Sequence, residues 1–433
     1  MNIHIKRNGI YEFGIVFLLF TVVWMSAYTA FGLTDQISQV VSMWVVVIGS
    51  GFVLLVFWRT AGRLQGMILF IGYLLRCVCI LVDIYGRKYM TLLHSGGDSE
   101  GFAQNAIDLY RGIKPEYVST RYPYAISWIY HVFGENRFCA QYMNVVLWVL
   151  SVAVLIRVCH RFQMKENKKS IIFILWTLLP TGMILSGILL RESAEMFFGI
   201  WSFERFLCWM QEGDRKYSIQ AFIYVVPAIL LHSASVALWA AYIVVMMFWD
   251  TKKGRYRWQK KTIFIFIVSV AILIFCWETP VGKLLFSKLG TDFSLYGITH
   301  GYYVKGGSDY LLDMDCQSWL AFVPDTLLRM FYFLFSPLPT EARGYQDLAM
   351  FAVDGLPLAG VIGIVLFCAH KKKNIQGYAY AGLLGGFSFA GIFAWGVRNA
   401  GTALRHRYLA WSIFILALCI AFGGIDEQKK RRL

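Results

Sequence analysis

Residues 66–112 read GMILFIGYLLRCVCILVDIYGRKYMTLLHSGGDSEGFAQNAIDLYRG, and the change of character within them decides the fold. As far as about residue 84 they form an apolar run of about twenty residues, the length a helix needs to cross the hydrocarbon layer of a bilayer. Then the chain turns glycine-rich and acidic. Asp98 and Glu100 follow Gly96 and Gly97, and Phe102, Ala106 and Leu109 recur at the spacing of one helical face. That pattern suits a short amphipathic helix lying on a membrane surface, with the carboxylates at the lip of the bilayer. A plainer interpretation uses the same residues: Ser95 or Asp98 caps the helix, Glu100 favours its positive end, and the glycines make an ordinary turn.

Apolar runs of this length recur outward from here. The chain has 433 residues, of which 58% are hydrophobic and 15% charged, so the expected fold is all-α: a polytopic transmembrane helical bundle without a separable soluble domain. The formal charge of +15 does not point to nucleic acid as a partner, because the basic residues fall in short clusters between apolar runs, where a positive-inside bias puts them. The nine cysteines lie mostly inside apolar segments, with no CxxC pair and no metal-ligand spacing. A bridge between Cys139 and Cys316, which could both face outward, stays open. The first 32 residues have a basic start, but their apolar run is longer than a signal-peptide core and is taken as the first span.

Counting runs against basic clusters gives about twelve crossings in one transmembrane domain, 1–433, with both termini cytoplasmic in a plasma or inner membrane. Residues 1–84 hold three spans, 85–137 an acidic outer loop with surface helices, and 138–280 spans four to nine. Residues 281–348 form a second large outer loop, and 349–433 hold spans ten to twelve and a tail. Lys6, Arg7, Arg59, Arg63, Arg161, Lys165, Lys168 and Lys169 mark cytoplasmic ends, as do the clusters at 252–261 and 371–373. The segments 120–137 and 319–335 are expected as helices that do not cross. Hairpins of spans are expected over 170–211, with Arg191 and Glu192 at the turn, and over 217–250, with His232 and Ser233 at the turn. Arg76 and Asp83, inside the third run, are expected to pair or to face the bundle interior, because a charge in lipid costs on the order of 3 kcal/mol or more.

This topology puts the last outer turn, WGVRNAGTALRHRYL, on the same side as Asp98. Arg398, Arg405, His406 and Arg407 are expensive there unless an anion meets them, which suggests a phosphate. The alternative is a cluster snorkelling to lipid headgroups. Carboxylates and guanidinium groups together suit transfer of a group from a phosphorylated lipid. A carboxylate takes the proton of an acceptor hydroxyl, and guanidinium groups steady the departing phosphate.

Three stretches between residues 80 and 211 resemble the GT-C superfamily of polytopic glycosyltransferases, which includes the protein mannosyltransferases and the aminoarabinose transferase of lipid A. GGDSEGFAQNAIDLYRG is similar to their first outer loop, with Asp98 opening the motif and Phe102 as the aromatic four residues on. RYPYAISWIYHVFGENRFCAQYMN, which Arg121 opens, is similar to the segment that follows, and LPTGMILSGILLRESAEMFF to the later hairpin with Arg191 and Glu192 at its polar turn. The resemblance implies Asp98 as the catalytic carboxylate, with Glu100 second, and a polyprenyl-phosphate or diphosphate sugar as donor. The segments FYFLFSPLPTEARGYQ and NAGTALRHR look like parts of bacterial membrane proteins of polysaccharide assembly. They turn the expected acceptor toward a lipid-linked or surface glycan of the cell envelope.

No cofactor is demanded by these motifs; Asp98 and Glu100 could take part in holding a divalent cation, although two carboxylates alone make a weak site. Two other functions compete with the transferase. A repeat-unit polysaccharide polymerase would also need outer arginines, and LLHSASVALWAAYIV with His232 would fit it. A lipid-sugar flippase or transporter would be expected to show charges near the midplane and internal repeats, which the sequence does not display.

Overall fold

The computed structural model describes residues 7–424, apart from 34–35, 117, 119, 259, 278, 280–281, 283–293, 301–305 and 313. The described chain is helical almost throughout, and its sheet is one two-stranded hairpin, Trp249–Asp250 against Arg255–Tyr256. The twelve expected crossings are corrected to fewer. Six described helices are long and apolar enough to cross a membrane, or up to eight if each of two bent pairs counts as one span. Residues 217–250 give the helices Arg215–Tyr224, Val226–Leu231 and Ala237–Phe248, interrupted near Pro227 and His232. Each is well below the about 20 residues a crossing needs. In 170–211 the first helix bends by 51° between Glu166–Leu178 and Pro180–Gly187. The second, Glu192–Glu212, buries Glu192, Glu195 and Glu204, so it is not an apolar run.

Other expected elements form where the sequence puts them. The short helices are Asp98–Tyr110 and Tyr122–Phe133, and the segment from 319 gives the 17-residue helix Trp319–Phe335. The expected ninth span forms a helix over Lys260–Trp277. Much of the loop after it, the first six residues and the basic tail from 425 lie outside the described residues. Cys139 and Cys316 are both free and buried.

Exposure along the helices fits lipid as their solvent. Leu18 and Val23 of the first helix are 63% and 67% exposed, an apolar face of a size that water-soluble surfaces rarely carry. By contrast Tyr408–Phe422, apolar all round, is buried along nearly its whole length and is a core helix.

The chain divides into two compact units. The first comprises Met1–Val152, Lys169–Leu178 and Gly182–Ser193. Its centre is the helix Arg63–Tyr85. Tyr73 shares hydroxyl hydrogen bonds with Ser50 and Tyr142, and a Cβ at Gly187 would fall 2.3 Å from the Cβ of Cys79, so the Pro180–Gly187 helix needs glycine there to approach. Arg76 and Asp83 are both fully buried, as expected of charges inside the third run. Arg76 donates to the carbonyls of Gly72 and Thr177 and stacks 3.8 Å from the Trp148 ring. Asp83 is held by Arg87, Gln141, Ser95 and Arg137.

The second unit comprises Ala153–Lys168, Leu179–Thr181 and Ala194–Leu433, and its charges are sorted by end. Lys372 Nζ donates to the carbonyls of Ala421 and Gly423, closing the end of the core helix. The basic hairpin docks at the same end: Trp249 packs 5.1 Å from Tyr378, and the Tyr256 hydroxyl donates to the Gly377 carbonyl at 3.0 Å. Arg398 follows the far end of the Gln376–Gly396 helix, about 30 Å away at 1.5 Å per residue.

Candidate functional site

Two successive glycines enter the acidic helix. Gly97, at φ 42°, occupies the position before it, and a side chain would be strained there. Ser99 turns its hydroxyl back to the Gly96 carbonyl, so Asp98 becomes the first helical residue and stands exposed. Phe102 and Ala106, expected to lie on a membrane surface, are buried in protein instead. The Phe102 ring sits edge-on to Tyr122, 5.5 Å away, and the face they share joins the two short helices. An amphipathic pattern does not say whether its apolar side meets lipid or another helix, and here a partner helix follows within a dozen residues.

Glu100 has a different environment from Asp98. Arg137 meets both its oxygens, and Arg87 Nη1 lies 2.5 Å from Oε1. The Arg137 hydrogen bonds hold the Glu100 carboxyl down at about 2, against the opposing effect of partial burial and with Arg87 adding to the lowering. Arg87 and Arg137 also reach Asp83, at 3.0 and 3.5 Å, and Ser95 donates to the same carboxylate. The result is a polar girdle that ties the loop to the end of the Arg63–Tyr85 helix.

Arg191 belongs to the same unit and lies 5.8 Å over the Phe102 ring, beside the acidic helix. Its turn is positioned by Asn144, whose side-chain nitrogen donates to the carbonyls of Ile188 and Leu190 at 2.8 and 2.9 Å. Asn144 Oδ1 in turn accepts from the Tyr122 hydroxyl at 3.1 Å, so one amide fixes both the arginine turn and the second short helix. Glu192 is buried at the start of the next helix, whereas Arg121 is exposed over the Tyr124 ring, 5.5 Å away. The sequence reading missed Asn144, Arg87 and Arg137. An amide within an apolar run, an arginine just after one run and an arginine just before another are the signals that could have marked them.

The remaining candidates lie in the second unit. Arg407, at the bend between Ala400–His406 and Tyr408–Phe422, is fully buried. It donates to the carbonyls of Leu334 and Ser336 at 2.9 and 2.6 Å and pairs with Asp354, which also accepts from Thr181. Arg398 donates to the Thr299 carbonyl at 2.6 Å, and Arg405 is buried nearby in sequence. His406 stacks on Phe393 with its ring 4.9 Å from that of His232, and His232 Nδ1 accepts from the Ala234 amide. A buried arginine not foreseen, Arg329, donates to the carbonyls of Leu311 and Met314 and stacks on Trp395 at 4.3 Å. In the turn 398–407, Arg398 is therefore engaged with a backbone carbonyl and Arg407 with backbone carbonyls and a carboxylate.

Among the described residues no three His, Cys, Asp or Glu side chains gather to hold a metal ion. Compared with protein-family models, curated proteins and solved structures, the chain matches none.

Proposed function

We propose that this chain is an integral-membrane glycosyltransferase. It moves a sugar from a polyprenyl-phosphate-linked donor to a lipid-linked or surface glycan on the extracytoplasmic face. The observation that carries this proposal is the contrast between two carboxylates two residues apart in the first turn of one helix. Glu100 is clamped by two arginines and held down at about 2, which makes it a poor proton acceptor near neutral pH and a good anchor. Asp98 stands exposed on the first turn of the helix so anchored, with Arg191 beside the same helix.

Asp98 is assigned the base. It takes the proton of the acceptor hydroxyl as that oxygen bonds to the anomeric carbon of the sugar; the bond from that carbon to the donor phosphate breaks, and its electron pair leaves with the polyprenyl phosphate. Arg191 is assigned to the phosphate, where a planar guanidinium steadies the charge that develops. Arg407 is left out of donor binding, because its donors already face carbonyls and Asp354. Arg398 and Arg405 remain anion-binding candidates of the second unit. The test is transfer of labelled sugar from a polyprenyl-phosphate donor by the purified chain; a chain that handles no such donor is not this enzyme.

A second proposal, a repeat-unit polymerase, draws on the pairing of His232 and His406 against Phe393. It predicts lengthening of a lipid-linked oligosaccharide that is lost in His232→Phe and kept in Asp98→Asn.

A further inference from the structure

The basic hairpin of the second unit borders an open groove of about 520 Å³. Val244 and Phe248 form one wall, Tyr380 and Leu384 the other, and Arg257 and Trp258 stand at its rim. The walls are apolar and partly uncovered: Val244 and Tyr380 are exposed, and Trp258 is 69% exposed. The groove lies at the end of a candidate span, because Tyr380 is in the first turns of the Lys373–Gly396 segment and the hairpin is bonded to Gly377. An apolar slot that opens at the end of a spanning helix, with an exposed tryptophan at its mouth, sits where acyl chains give way to headgroups.

The charge beside the slot has one sign. Residues 249–258 read WDTKKGRYRW, in which Asp250 is the sole acid against Lys252, Lys253, Arg255 and Arg257. Asp250 is already engaged: Oδ2 meets Arg257 Nε at 2.8 Å, and Oδ1 accepts the backbone amides of Lys252 and Lys253. Its backbone bonds hold the turn so that Lys252, Lys253 and Arg255 project into solvent, where all three are exposed. Lys371 and Lys373 are exposed at the same end of the unit. A cluster of cations at the membrane surface attracts anionic lipid by about fivefold per residue near the surface.

We propose that this end of the second unit holds an anionic phospholipid, with an acyl chain in the groove and the headgroup phosphate on the hairpin cations. A zwitterionic lipid would gain the apolar contact without the charge, and a soluble anion the charge without the groove. Two features of one lipid are thus matched by two adjoining features of the protein. The site is independent of the proposed transferase reaction.

The test uses the full chain purified in a neutral detergent, incubated with dioleoylphosphatidylglycerol or dioleoylphosphatidylcholine, and read by counting retained lipid by native mass spectrometry. The wild type should retain the glycerol lipid over the choline lipid by about tenfold or more. The variant Lys252→Gln/Lys253→Gln/Arg255→Gln, altered only at exposed positions, should bring that ratio to within about twofold. Leu384→Trp, which narrows the slot at its wall and leaves the charge, should retain one phosphatidylglycerol fewer than the wild type. Equal retention of the two lipids by the wild type, or an unchanged ratio in the charge variant, overturns the proposal. An unchanged count in a folded Leu384→Trp protein does so as well; if that variant does not fold, the charge variant alone decides.

Discussion

Arg137 holds both carboxylate oxygens of Glu100, Nη1 on Oε2 and Nη2 on Oε1, each at 2.7 Å. A planar fork met by a planar acid fixes direction as well as distance, so the helix carrying Glu100 is aimed as well as tethered. Arg87 joins the same pair, and Asp83 stands behind both arginines from within the third run.

Acid should loosen this tether in a definite window. Glu100 is held below its ordinary value of 4.5, so its stabilising contribution is present above that value and is lost as pH falls through about 2. The thermal midpoint of the wild type should exceed that of Glu100→Gln by a constant margin above about pH 4.5, and the two should converge as the pH approaches 2. A margin that does not depend on pH would mean that the carboxylate charge is not what holds the loop. Because the Glu100 side chain is 45% exposed, the margin should be small.

Asn144 should behave as a positioning residue. Asn144→Leu keeps the branched outline of the side chain but leaves two carbonyls and the Tyr122 hydroxyl without this partner, a loss of about 1–3 kcal/mol. If its role is to place Arg191, the variant should raise the KM for the donor more than it lowers kcat. A pure stability loss would leave both constants of the folded fraction unchanged.

The Arg407–Asp354 pair makes the opposite prediction. Both partners are fully buried, and removing one leaves a stranded charge, so Arg407→Leu or Asp354→Leu alone should cost about 3–5 kcal/mol. The double variant Arg407→Met/Asp354→Leu should recover much of that loss, measured by denaturation in detergent, and donor affinity should stay at the wild-type level wherever the protein folds. A folded Arg407→Met/Asp354→Leu protein that has lost donor binding would return Arg407 to the phosphate site.

Arg191 separates charge from geometry. Lysine keeps the charge and loses the fork, so donor binding should weaken in the order wild type, Arg191→Lys, Arg191→Ala, with the alanine variant weaker by about tenfold or more. Equal affinity in all three would remove Arg191 from donor binding.

Much of this architecture was legible because period and length are local properties. The run ending near Tyr85, the glycine-led helix from Asp98 and the turn at Arg191 could be read from residue order alone. The number of crossings could not, since Pro180 and His232 break apolar stretches into pieces whose lengths only packing sets. Partners separated by tens of residues were equally hidden. Asp83 finds Arg137 across 54 positions and Arg407 finds Asp354 across 53, and neither pairing leaves a mark on the local pattern. The same applies to burial: Arg407 reads as one more cation of a basic turn, and only the carbonyls and the carboxylate it meets in the fold explain why its charge is tolerated.

The most direct test is the turnover of Asp98→Asn, with Glu100→Gln measured beside it, in transfer of labelled sugar from a polyprenyl-phosphate donor by purified protein. Asparagine keeps the size of Asp98 and much of its hydrogen bonding but cannot take the acceptor proton, so turnover should fall by about two to four orders of magnitude while protein level and donor binding persist. Glu100→Gln should lose less, because it loosens an anchor and leaves the base in place. Near-normal transfer by Asp98→Asn, with collapse in Glu100→Gln, would contradict the assignment of the base, and near-normal transfer by both would remove the acidic loop from the chemistry.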